Sequence, residues 1–90
     1  MPILKMPAPL RSYVNGMAQV PVSGATVGEA VESLLVGFPA LRPHLTDRQG
    51  KLRPFVNLFL AEQNIKDLQG LDTPLGPEDI LNLVPSVAGG

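Results

Sequence analysis

The chain alternates short apolar runs of changing period with proline and glycine punctuation. Residues 2–10 set Ile3, Leu4, Met6 and Leu10 among Pro2, Pro7 and Pro9. Proline is excluded from helix interiors and central ladders, so this pattern predicts a first strand of edge type. Asn15-Gly16 is a strong turn dipeptide, and residues 18–23 alternate around Val20 and Val22 as a second strand, which completes an N-terminal hairpin. Thr26-Val27-Gly28-Glu29 has the spacing of a capping box, in which the threonine hydroxyl and the glutamate carboxylate each satisfy a backbone donor at a helix start. A helix is therefore expected from Val27 to about Gly37. Val27, Val31, Leu34 and Phe38 form its apolar stripe, flanked by Ala30 and Leu35, with Glu29, Glu32 and Ser33 on the opposite side. Gly37 and Pro39 end it, and Leu41 and Leu45 close one edge of the core from a short irregular or helical segment.

The second half returns to a period of two. Asp47-Arg48-Gln49-Gly50 is turn chemistry, after which residues 52–60 read as a strand. Val56, Leu58 and Leu60 lie on one face of it and Phe55, Asn57 and Phe59 on the other, so both faces carry apolar groups. Gln63-Asn64 turns the chain into a short return strand around Ile65 and Lys66. Residues 67–79 are a compact loop with Leu68, Leu71 and Leu75 as plugs, and residues 80–84 form the last strand. The order is hairpin, helix, strand, short strand, loop, strand, tail. This is an α+β chain with one main helix against a mixed sheet of four to five strands, in a single domain spanning residues 1–90.

Composition narrows the function classes. Apolar residues make up 44% and the formal net charge is −1, as in an ordinary globule, and no basic run along the sequence suggests nucleic acid. Cysteine is absent, which removes disulfides, thiolate metal sites and a nucleophilic thiol. The start lacks the pattern of a signal peptide, and no stretch approaches the ~20 apolar residues of a spanning helix, so a cytoplasmic location is expected. Catalytic constellations are missing as well. His44 is the only histidine, and Glu29 with Glu32 and Glu78 with Asp79 fall on a solvated helix face and in a turn. No metal site, bound cofactor or enzymatic centre is expected. The feature that stands out is the ending, where an apolar strand runs into Pro85-Ser86-Val87-Ala88-Gly89-Gly90. Proline fixes the direction in which a tail leaves the fold, and two residues without Cβ atoms make a tip thin enough for a narrow channel. A flexible tail of this form can bring a carboxylate to an enzyme-bound nucleotide.

With Lys51-Leu52-Arg53-Pro54-Phe55-Val56-Asn57, residues 71–75 and residues 84–90 in view, the chain resembles the β-grasp sulfur carriers. These include the molybdopterin synthase small subunit, the thiamine sulfur carrier and a carrier serving a cysteine synthase. The resemblance implies a ubiquitin-like fold whose terminal glycine, here Gly90 behind Gly89, is adenylated with ATP by a ubiquitin-activating-like enzyme and converted to a thiocarboxylate with sulfur from a donor. Pro85, Val87 and Ala88 would position the tail. The length and the Lys51 to Asn57 run are more similar to the cysteine-synthase carrier, which implies a pyridoxal-phosphate synthase as sulfur acceptor and a peptidase that releases the product. The large subunit of molybdopterin synthase and isopeptide formation on lysines are the alternatives. The family usually has a Gly-Asp turn before its last strand, where this chain has Gly76-Pro77-Glu78-Asp79. Phe55 and Phe59 have two readings: core if a second layer covers their face, and otherwise a partner-binding face with Val84, rimmed by Arg53.

Overall fold

The computed structural model describes residues 1–85. Its regular elements are β1 (Ile3–Lys5), β2 (Gln19–Pro21), α1 (Val27–Gly37), α2 (Arg42–Leu45), β3 (Val56–Leu60), β4 (Gln63–Asn64) and β5 (Ile80–Pro85), joined by several 3-10 turns. The strands form one sheet in the order β2-β1-β5-β3-β4. The central pair β1 and β5 is parallel, and the remaining pairs are antiparallel; β1 is thus not the edge strand expected from its prolines, because Pro2 and Pro7 lie outside the three residues that pair on both sides. One main helix lies across this mixed sheet, which is the ubiquitin-like β-grasp architecture.

The helix starts where the capping box places it. The Glu29 amide donates to Thr26 Oγ1 at 3.2 Å, while the Glu29 carboxylate accepts from the Ala25 amide at 2.8 Å, one residue ahead of the cap. Val27, Ala30, Val31, Leu34 and Leu35 are buried, and they meet Leu4, Val20, Val56, Leu58, Leu81 and Leu83 from alternate positions of the strands in one cluster. Leu41 and Leu45 close the edge from α2 and the turn before it. A cue absent from the pattern is Gly24. Its φ is +151°, and a Cβ there would lie 2.7 Å from both the Ala30 amide nitrogen and the Glu29 Cβ, so the chain can pass beneath the helix start only as glycine.

The strands are shorter than the alternation suggests. β1 stops at Lys5, and Ala8–Val14 forms 3-10 turns that bury Val14, because the prolines in this stretch cannot supply ladder donors. β2 is confined to Gln19–Pro21. β3 begins at Val56 instead of residue 52. Pro54 and Phe55 occupy a turn closed by the Val56 amide on the Arg53 carbonyl at 3.0 Å, while Leu52 bridges to Thr46. The return strand is Gln63–Asn64, and Ile65–Asp67 is a 3-10 turn started by the Asn64 side chain, which accepts from the Lys66 amide at 3.0 Å. In the loop that follows, Leu75 is buried, whereas Leu71 lies against Gly28 at the start of α1 and stays largely exposed instead of entering the core. The unusual Gly76-Pro77-Glu78-Asp79 segment closes as a turn, with the Asp79 amide on the Gly76 carbonyl at 3.2 Å and the Asp79 carboxylate on the Gly76 amide at 2.7 Å. A carboxylate that accepts from the turn's own backbone does here what a tight glycine turn does elsewhere.

Candidate functional site

β5 delivers the tail. It pairs with β3 from Leu60↔Leu81 to Val56↔Pro85, so the ladder ends at Pro85 beside the start of β3. The strand runs one residue beyond the alternation, and proline, which has no amide hydrogen, is its final member. Whatever residues 86–90 do begins from this corner. Val87, Ala88, Gly89 and Gly90, the tail and carboxylate positions singled out above, lie outside the described residues.

The corner has an uncovered apolar side. Side chains alternate along β5, so Leu81 and Leu83 enter the core while Ile80, Asn82 and Val84 face outward. On β3, Val56 and Leu58 enter the core, and Asn57 and Phe59 share the outward face. Val84 is opposite Asn57 and is 44% exposed, and Phe55, in the turn leading to β3, is 45% exposed. Phe59 is half-buried between Asn82 on one side and Asn64 on the other. No described element lies over this face. Of the two readings of the aromatics, Phe55 is therefore not core, and Phe59 is a partly sheltered member of an open face. Ile80, 43% exposed on the same side, was not singled out from sequence; its period-two relation to Val84 was the available signal.

Polar groups pin the face. The Asn64 side chain donates through Nδ2 to Asn57 Oδ1 at 3.3 Å, and Lys66 Nζ reaches the Pro54 carbonyl at 3.2 Å and the same Asn57 oxygen at 3.5 Å. These contacts fix the turn that holds Phe55. Arg53 is occupied differently from a free rim residue: its Nε donates to the Pro43 carbonyl at 3.0 Å and its amide to the Leu45 carbonyl at 2.9 Å, which ties the approach to β3 onto α2. His44 packs against Tyr13 with ring centroids 4.5 Å apart and the ring planes tilted by 40°. Among the described residues, no group of histidines, aspartates and glutamates is placed to hold a metal ion, and no helix is long and apolar enough to cross a membrane.

A family model, described as the ThiS family, matches residues 4–90. This chain belongs to the ThiS family. The β-grasp sulfur carrier assignment made from the C-terminal run is thus shown, and the match includes both terminal glycines. The chain is 30% identical over 89 residues to the sulfur carrier protein CysO of Mycobacterium tuberculosis, covering 97% of this chain and 96% of that protein. A chain of the crystal structure of the Amycolatopsis orientalis BexX/CysO complex superposes with a TM-score of 0.89 at 27% identity, covering 100% of both chains. Small archaeal modifier protein 1 of Methanosarcina acetivorans superposes with a TM-score of 0.85 at 30% identity, covering 99% of this chain and 95% of that one.

Proposed function

We propose that this chain carries sulfur as a thiocarboxylate on Gly90 and hands it on in cysteine biosynthesis. In the first step the Gly90 carboxylate oxygen attacks the α-phosphorus of ATP on an adenylating partner, and pyrophosphate leaves. In the second, sulfide supplied by a sulfur donor attacks the acyl-adenylate carbonyl and AMP leaves, so one carboxylate oxygen is replaced by sulfur. A pyridoxal-phosphate synthase would supply the three-carbon acceptor: the thiocarboxylate sulfur would bond to its β-carbon as a thioester, the acyl group would shift from sulfur to the amino nitrogen, and a peptidase would hydrolyse that amide to release cysteine and restore the Gly90 carboxylate. The chain acts as co-substrate throughout, and its share of the work is positioning. Near-attack geometry requires reacting atoms roughly 3–3.5 Å apart, so the tail must start from a fixed point and carry no bulk at its tip. The Pro85 corner with Val84 and Phe55 beside it fits the first need, and Gly89-Gly90 fits the second.

The observation that carries this reading is the extent of the match, which runs through Gly90 and joins this chain over nearly its whole length to a named sulfur carrier. Intact mass after incubation with an adenylating enzyme, ATP and sulfide tests it. The expected product is heavier by the difference between a sulfur and an oxygen atom. Deleting Gly90, or appending one residue after it, should abolish that product without changing stability. Normal loading of either variant would end the carrier reading. A second reading, protein modification through an isopeptide, is favoured by the likeness to an archaeal modifier protein. It predicts adducts with lysines of other proteins in place of the sulfur-for-oxygen exchange. Offering the loaded chain in parallel to a cysteine synthase and to the large subunit of a molybdopterin synthase identifies the acceptor.

A further inference from the structure

The formal net charge of −1 conceals a separation of charge that only the fold creates. Arg42, Arg48, Lys51 and Arg53 are close in sequence, and the fold attaches their segment to the end of the sheet where the tail leaves. The Arg53 carbonyl accepts the amide of Val56, the residue paired with Pro85, and Thr46↔Leu52 and the Asp47 to Lys51 hydrogen bond close the intervening loop. Arg42, Arg48 and Arg53 line one concavity of about 500 Å³. Lys66, distant in sequence, is brought to the same end by its bond to the Pro54 carbonyl. Lys5 and Arg11 line a second groove with Asn82 and Leu83, beyond the point where β1 stops pairing with β5. Three acids also lie toward this end, Glu32, Asp47 and Asp67 beside Lys66, against seven basic residues, and the first two are engaged. Glu32 pairs with Arg42 at 2.7 Å, and Asp47 accepts from the Gln49 and Lys51 amides.

The opposite end is acidic. Glu62 follows β3, whose Leu60 pairs with Leu81, and Glu78 and Asp79 directly precede β5. Glu29 lies in the first turn of α1 and Asp72 beside Thr73, whose carbonyl accepts the Val27 amide, so both belong to the layer that leads into the start of β5. None of the seven lysines and arginines is at this end. The molecule extends 25 to 29 Å along its principal axes, about three Debye lengths at physiological salt. A partner therefore responds to the end it meets and is screened from the other.

We propose that the tail-bearing end is a basic collar that docks an acidic protein surface, oriented so that the tail leads into the partner. That the partner is the enzyme which activates Gly90 rests on the carrier reading above; the polarity of the collar does not. Complementary charge speeds encounter and fixes orientation, and the apolar face of Val84 and Phe55 then makes the close contact. A nucleic acid is disfavoured as occupant because the collar is confined to one end of a molecule that is negative overall.

Titration of the labelled protein with a hexaglutamate peptide at physiological ionic strength, where the two ends are screened from each other, followed by amide NMR shifts, tests the proposal without any partner enzyme. Shifts are expected for residues 42–53 and 66, with no response at residues 72–79. Arg48 and Lys51 are exposed and, among the described residues, make no side-chain hydrogen bond or ion pair, so Arg48→Glu with Lys51→Glu should fold normally and lose binding by about tenfold or more. Glu62→Lys with Glu78→Lys changes charge by the same amount at the other end and should leave affinity within about twofold. Equal and opposite responses of the two double variants would show that only net charge matters and would overturn the collar. So would tenfold tighter binding of inorganic pyrophosphate or of an RNA oligonucleotide to the same residues. Deletion of Gly90 should leave the titration unchanged, so failure of sulfur loading and failure of the collar are separate results.

Discussion

Leu83 and Val84 are adjacent aliphatic residues of one strand with opposite fates: Leu83 is 4% exposed beneath α1, and Val84 is 44% exposed on the far side of the sheet. Both faces of β3 and β5 carry apolar residues, the outer one with Asn57 and Asn82 among them, yet one is the core and the other is uncovered. On a small domain with one main helix, burial within the chain is used up by the first face, and the second is the one on which we propose that a partner docks.

The difference can be broken from the core side. Leu34→Ala removes a buried side chain from the centre of the helix stripe and should cost about 2–5 kcal/mol in chemical denaturation. Unchanged stability would mean that α1 does not seal the inner face. Gly24→Ala attacks the same face at its margin. A methyl group cannot fit against Glu29 and Ala30, and the positive φ disfavours any side chain, so a loss of about 1–3 kcal/mol is expected. On the outer face the pattern should invert. Phe55→Ala should cost about 0.5–1 kcal/mol of stability but about 2 kcal/mol of affinity for the activating partner. Phe59→Ala, half-buried, sharpens the comparison: a loss of partner affinity larger than its loss of stability places Phe59 with Val84, and the reverse places it with the core.

The smallest expected effect concerns pH. Backbone donors from Lys51, and then Gln49, hold the Asp47 carboxyl below the usual carboxylate range. A depressed folded-state pKa gives stability that is present above the unfolded value, about 3.9, and lost as pH falls through the lower folded one. Asp47→Asn should flatten this part of the acid limb of stability between roughly pH 4 and the folded pKa, measured by denaturation across pH. An unaltered limb would show that the loop of the basic collar is not held by this side chain.

Much of this was legible because its causes are local. The capping box set the start of α1 at Val27, the stripe through Leu34 set its buried face, and period two assigned Val56 and Leu58 against Phe59. Errors came where a side chain or a proline competes with the ladder. Asn64 begins a turn with its own carboxamide, Pro54 delays β3, and the prolines after Lys5 send the chain into 3-10 turns. Gly24 and Ile80 were passed over because each matters through a contact, or the lack of one, with elements distant in sequence.

By itself, then, the sequence determined an α+β chain with one helix, a two-faced central strand and a Pro85 to Gly90 ending of sulfur carrier type. Periodicity, capping and a short motif are properties of neighbouring residues and survive reading in one dimension. The tertiary structure alone decided that the second face stays uncovered, that Phe55 and Val84 flank the Pro85 corner, and that Lys66 joins Arg48 and Arg53 at the tail-bearing end. Each of these depends on strand order and register, which bring residues dozens of positions apart into contact, and Coulomb interactions and burial depend on that distance in space and not on separation along the chain.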